Sequence, residues 1–346
     1  MTVADPAAPA LARERGRGLL GGRGRYIAGK ILGAVLSLAF VLVFNFFLFR
    51  ILPGDPAKSL TRNRYVPASQ VAEITKRFGL DKPLPQQFVD YVRSTLHGDL
   101  GISYQYQQPV THLIAQRMWP TILLVGLSTI LSTVIGLWFG IHGAWQRGSK
   151  FDKITMGFSL TLYAMPEFWL GLLLLVALAV GIGPFHGIFP TGGMQTADVT
   201  YHGVRDWLDI ANHLFLPCLT LTLAYFAEYH LIMRSSLLEE KTEDYLLTAR
   251  AKGLRDALVR RRHAVPNALL PTVTLVLLNF GFVVSGAITV ETVYSWPGLG
   301  LLSYNALNGP DIPLLQGVFL LFSAAVILFN LFADVVYGFL DPRVTS

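Results

Sequence analysis

The chain has 346 residues, of which 52% are hydrophobic and only 14% charged, and its mean hydropathy is +0.47. A soluble domain carries about 25% charged residues, so composition excludes an ordinary soluble protein and points to an integral helical membrane protein. The net charge of +6 comes from basic residues gathered in loops, not from a nucleic-acid surface, and the single cysteine, Cys218, excludes an intrachain disulfide or a cysteine-based metal site.

Residues 1–29, rich in Ala, Gly, Pro and Arg, read as a disordered cytoplasmic tail. Two nucleotide-site look-alikes lie there. Gly16-Arg-Gly18-Leu-Leu-Gly21 has no preceding strand, and Gly24 to Lys30 is followed by Ile31 where a P-loop needs Ser or Thr for magnesium. ATP and Mg are therefore expected on another chain, with no cofactor and no metal in this one. A first transmembrane helix is expected within 30–56, ended by Leu52-Pro-Gly-Asp-Pro-Ala57. Residues 57–118 are of mixed polarity and read as an extracytoplasmic subdomain, helical near 71–78 and 86–96, with a turn at Gly98-Asp-Leu-Gly101.

Residues 119–346 read as a five-helix transmembrane core. Its spans are expected near 119–142, 154–182, 214–233, 270–293 and 312–337. The first of these contains Gly136-xxx-Gly140, a spacing that lets helices approach closely, and the next should kink at Pro166. Asp311 reads as the cap of the last helix and Trp296 as an interfacial anchor. The fold class is thus all-α, a polytopic membrane protein with six transmembrane helices. Basic residues crowd the N-terminal tail, the 147–153 turn and the 234–263 loop, whereas the loops at 183–213 and 294–311 hold only Arg205. Positive charge marks the cytoplasmic side, so both termini and the 237–271 loop are expected there.

That loop is neither apolar nor disordered in composition. Two helix-like runs, 245–252 and 256–263, flank Gly253, where a positive φ would end the first, and Pro266 and Pro271 should restart a new helix. A helix–Gly–helix projection of this kind suits docking to a soluble partner.

Thr248-Ala249, three residues, Gly253, nine residues, then His263-Ala-Val265-Pro266 resembles the signature loop of importer-type ABC permeases. The Gly and Pro spacing matches, while Leu247, Thr248 and His263 stand where that signature has Glu, Ala and Ile. Asp244-Tyr245 followed by Thr248-Ala-Arg-Ala-Lys-Gly253 is similar to the form in the peptide-transporter branch. So are Leu52-Pro-Gly-Asp-Pro-Ala57, Pro166-Glu-Phe-Trp-Leu-Gly171, Glu291-Thr-Val-Tyr-Ser-Trp-Pro-Gly-Leu-Gly300 and Asp341-Pro-Arg343. The chain thus resembles the B-type permease of dipeptide or oligopeptide ABC importers, from about residue 30 onward. The resemblance implies a type I importer permease fold and a non-catalytic transport subunit of a bacterial cell membrane. It also implies a second permease, two cytoplasmic ATPases and an extracytoplasmic substrate-binding protein as partners. ATPase docking would fall to Asp244, Tyr245, Thr248, Ala249, Arg250, Ala251, Lys252, Gly253, Leu254 and Pro266.

Three ionisable residues in the spans are candidates for the substrate pathway: Glu228, His230 and Glu291. Glu228 can meet a peptide amino terminus, or simply pair with His230, Arg234 or a neighbouring helix. Glu291 stands at the outer mouth, in a gating or a structural role. Nickel or glutathione import is the alternative within the same branch. A stand-alone channel or secondary transporter would call for paired intramembrane charges or inverted repeats, and a membrane enzyme for a convergent cluster that the scattered histidines do not form.

Overall fold

The computed structural model describes residues 8–51, 81–182, 185–283 and 287–340. Helix α1, Ala8–Ile51, starts well inside the segment expected to be disordered, in keeping with the high helix propensity of its Ala, Leu and Arg residues. Helix α2, Leu84–Leu96, follows. Helix α3 is continuous over Val110–Trp145, with a π-helical turn at Ile122–Gly126 just after Pro120. It begins nine residues inside the expected extracytoplasmic subdomain, because Pro109 starts it and Leu113 and Ile114 are buried. Helices α4, Lys150–Tyr163, and α5, Glu167–Leu174 with a π extension Leu175–Val180, are set at 105° to one another across a break that ends at Pro166. The expected kink is thus a full break, since the residue before a proline is driven out of the helical region. Beyond α5 two short strands, β1 Gly181–Ile182 and β2 Phe185–His186, pair antiparallel.

Helix α6 runs unbroken over Val204–Glu240, ten residues earlier than the apolar run suggested. Its polar first turns are held by Thr196, whose amide and hydroxyl both donate to Asp209 at 2.7 Å. Helix α7 covers Asp244–Ala251, and α8 covers Asp256–Val259 with a π turn Arg260–Ala264. Helix α9 is Val265–Val283 and α10 is a separate helix, Ile288–Val293, so the expected single span over 270–293 is two elements. Helix α11, Leu299–Asn308, fills what read as loop, and α12 is Ile312–Leu340. Among the described residues four helices are long and apolar enough to cross a membrane, five if the bent α4–α5 pair is one span.

The frame is the pairing of α3 with α6. Ser128, Ser132, Gly136 and Gly140 line a seam of small residues along α3. At Gly136 a Cβ would lie 2.6 Å from the Tyr229 Cβ, and at Gly140 2.8 Å from that of Met233, so the two backbones approach as only glycine allows. Helix α12 packs antiparallel on α1. Lys30 pairs with Asp334 at 2.9 Å near one end, and Asn45 Nδ2 donates to the Gln316 carbonyl at 2.9 Å near the other.

Candidate functional site

The projection expected around Gly253 is assembled from α7 and α8. Helix α7 has eight residues, too few to be stable alone. Leu246 and Ala249, three apart, sink its inner face into a core with Met233, Leu237, Val259 and Ala264. Full burial of Leu246 contributes about 2 kcal/mol. Gly253 takes φ +80°. Its amide donates to the Arg250 carbonyl at 2.9 Å and that of Leu254 to the Ala249 carbonyl at 3.3 Å. This is the Schellman closure, and Leu254 packs beside Ala249 as the motif requires.

The outward face carries Asp244, Leu247, Thr248, Ala251, Lys252 and Gly253, all exposed, with Leu247 66% accessible. A Cβ at Gly253 would meet nothing of this chain within 4 Å. Of the ten residues expected to dock, Ala249 faces inward and Leu254 is half-buried, while Pro266, exposed, is the second residue of α9. Helix α9 does not restart after a break. The Val265 amide reaches back five residues to the Arg260 carbonyl, so a π turn carries the chain into the proline. Tyr245 joins α7 to its neighbours. Its hydroxyl donates to Glu240 and accepts from Asn267 Nδ2 at 2.8 Å. Burial first, and the Glu240 carboxylate second, push its phenol up to about 12.

Behind the projection lies a contact set that sequence reasoning missed. Lys241 Nζ donates to the carbonyls of Ala144 and Trp145, at 3.1 and 3.0 Å, at the end of α3. Burial, then the nearby Arg250, hold its ammonium below the usual lysine range. Trp145 Nε1 donates to Asp256 Oδ2 at 2.7 Å. The available signal was a Trp at the end of a span, followed by a polar turn.

The three pathway candidates are not brought together. His230 is fully buried, with Nδ1 hydrogen-bonded to Ser159 Oγ at 2.7 Å and Nε2 lacking a protein partner among the described residues. Glu228 is half-buried and hydrogen-bonded to Asn279 of α9. Its possible partner Arg234 is engaged elsewhere, with Nε and Nη2 donating to the two oxygens of Asp152 at 2.7 and 3.0 Å. Sequence reasoning also missed this pair, whose signal was one acid and one arginine at the inner ends of neighbouring spans.

Glu291 is fully buried at the opposite end. It accepts from Thr121 Oγ1 and from the Leu301 amide, both at 3.0 Å, and Gly298 and Gly300 pack against it. Trp296 is not an interfacial anchor. It is fully buried, with Nε1 donating to the Pro120 carbonyl at 2.9 Å. Asp311 caps α12 through the Leu314 amide at 3.3 Å and also holds the amides of Tyr104 and Gln105. No group of three or more His, Cys, Asp or Glu that could hold a metal occurs among the described residues.

Two protein-family models match the chain. One, described as binding-protein-dependent transport system inner membrane component, covers residues 132–346, and the other, the N-terminal part of the membrane component of such systems, covers residues 24–125. The glutathione transport system permease protein GsiC of Pectobacterium atrosepticum is 38% identical over 319 residues, 92% of this chain and 98% of that protein. The dipeptide transport system permease protein DppB of Escherichia coli strain K12 is 36% identical over 88% of this chain and 94% of its own length. The di/tripeptide transport system permease protein DppB of Pseudomonas aeruginosa is 38% identical over 90% of this chain and 96% of its own length.

Proposed function

The chain belongs to the family of binding-protein-dependent transport system inner membrane components, and from that premise we propose that it is the permease subunit of an ATP-driven importer of dipeptides or oligopeptides. It provides part of the passage and no chemistry of its own. ATP and Mg are bound and used on two partner ATPase chains, a second permease completes the passage, and an extracytoplasmic binding protein delivers the peptide.

One observation carries the coupling part of this reading. Helix α7 is anchored inward by Leu246 and Ala249 and fixed at its end by Gly253, while Leu247, Thr248, Ala251 and Lys252 are left outward. A short rigid helix offered in this way suits a cleft of an ATPase. Docking falls to Asp244, Tyr245, Thr248, Arg250, Ala251, Lys252 and Gly253, with Ala249, Leu254 and Pro266 holding the shape. The clustered cations and the antiparallel packing of α1 on α12 support a topology of six spans with both chain ends cytoplasmic. The buried geometry of Glu291 favours a structural role over a gate, and Glu228 remains the candidate for the peptide path.

Glutathione is the second reading, favoured by the 38% identity to a glutathione permease. Uptake assays with a labelled dipeptide and with labelled glutathione separate the two. Gly253→Asp tests the docking reading. The chain itself leaves that space open, although a side chain at φ +80° strains the end of α7 by about 1–2 kcal/mol, so the variant should still insert yet lose ATPase co-purification and peptide uptake. Wild-type uptake by this variant would remove Gly253 from the docking face.

A further inference from the structure

We propose that Trp145, the last residue of α3, is the positioning residue through which the docking helices and α3 move as one body. The proposal rests on the docking reading above and adds a mechanical link to it. Trp145 is half-buried at the inner end of α3. Four groups converge on it from the segment between α6 and α9, about 100 residues later in the chain.

Lys241, in the link to α7, caps the carbonyls of Ala144 and Trp145 and stands 5.1 Å from the indole centroid. Arg250, from α7, lies 6.0 Å from the same ring, and Arg260, from the π turn, 5.9 Å. Asp256, from α8, accepts the indole N–H at 2.7 Å, and its other oxygen lies 3.6 Å from Arg250 Nε. The lone carboxylate of this group therefore joins the indole to a cation of the docking helix.

Each contact has a reason of its own. The last carbonyls of a helix lack internal partners and carry partial negative charge, which a lysine ammonium satisfies. An indole face attracts cations within about 6 Å. The result ties the link, α7, α8 and the π turn to one side chain of one span. Helix α3 is in turn locked along α6 by the close approach at Gly136 and Gly140. A push on α7 therefore reaches the closely packed α3–α6 pair through direct contacts.

The test uses the assembled transporter in proteoliposomes, with the binding protein and a radiolabelled dipeptide outside and ATP at the ATPase face. Trp145→Phe and Asp256→Asn both keep the local packing and weaken or remove the indole–carboxylate bond. Each is expected to retain the ATPase chains and basal ATP hydrolysis, while dipeptide imported per ATP hydrolysed falls about threefold to tenfold, since a charge-assisted bond is lost at the link. The double variant should fall by less than the two single losses multiplied together, because the indole–carboxylate bond is common to both. A wild-type transport ratio in both single variants overturns the proposal. So does loss of the ATPases from either, which would make Trp145 an assembly anchor only. Failure of the docking reading looks different, since the wild-type chain would then come out without ATPases.

Discussion

Gly136→Ala isolates the seam between α3 and α6. The added methyl would sit 2.6 Å from the Tyr229 Cβ and 3.1 Å from both the His230 nitrogen and the Phe226 carbonyl oxygen. Ordinary carbon contact begins near 3.5 Å, so α6 must retreat by about 1 Å along a packed face. Two of the three obstacles are backbone atoms, which cannot rotate away. Such overpacking costs about 1–3 kcal/mol. Removing a helical glycine returns about 0.5–1 kcal/mol, which leaves a net loss of up to about 2.5 kcal/mol. Gly157 in α4 is the control, since a Cβ there meets nothing within 4 Å. Gly157→Ala should therefore be neutral or stabilising by up to about 1 kcal/mol. Unfolding in mild detergent with graded denaturing detergent, followed by tryptophan fluorescence, measures both. A Gly136→Ala chain as stable as Gly157→Ala would refute the close approach.

Arg234→Met leaves the buried Asp152 carboxylate unpaired and should cost about 3 kcal/mol. Adding Asp152→Asn should recover part of that loss, a double-mutant cycle that the same unfolding assay reads. Glu291→Gln can keep its oxygen on the Leu301 amide only by turning its N–H toward Thr121, which must then give up its own donation to residue 291, at a cost of about 1 kcal/mol. Faster hydrogen exchange at 296–301 would report it, and unchanged exchange would contradict the clamp. Glu228→Gln retains the contact to Asn279 and should leave ATPase coupling intact. A fall in peptide uptake with normal assembly would place this carboxylate in the passage.

The helix-ending glycine of the docking loop was legible in the sequence because its determinants are local. The spacing of Gly253 from Ala249 and Leu254 is the whole Schellman motif, and φ +80° follows from it. The apolar runs likewise marked where spans lie, but not where helices end. Helix α6 extends into polar sequence because Asp209 finds Thr196, a contact that hydropathy does not register. Pro120 and Pro217 sit inside helices rather than ending them. The roles of Glu291 and Trp296 were hidden for another reason. Their partners Thr121 and Pro120 lie 170 and 176 residues earlier, and no window along the chain joins them. The Trp145 contacts share that property. Helix α1 begins at Ala8, inside the segment whose composition read as a disordered tail.

The pairing of α1 with α12 bears on how the chain is built. Synthesis delivers α1 first and its antiparallel partner last, so the Lys30–Asp334 and Asn45–Gln316 contacts form only when nearly every residue has left the ribosome. Until then α1 has α2 beside one end, where Asn45 and Phe46 meet Tyr91 and Phe88, while the face that α12 will cover stands in lipid. Its sequence suits that exposure: the most apolar 18-residue stretch of the Gly24–Phe49 segment has a mean hydropathy of 2.6, and only 11% of that stretch is buried in the finished protein. Arrival of α12 thus covers the last open face of α1, and a chain truncated before Ile312 would insert α1 but lack the Lys30–Asp334 and Asn45–Gln316 contacts that fasten its length.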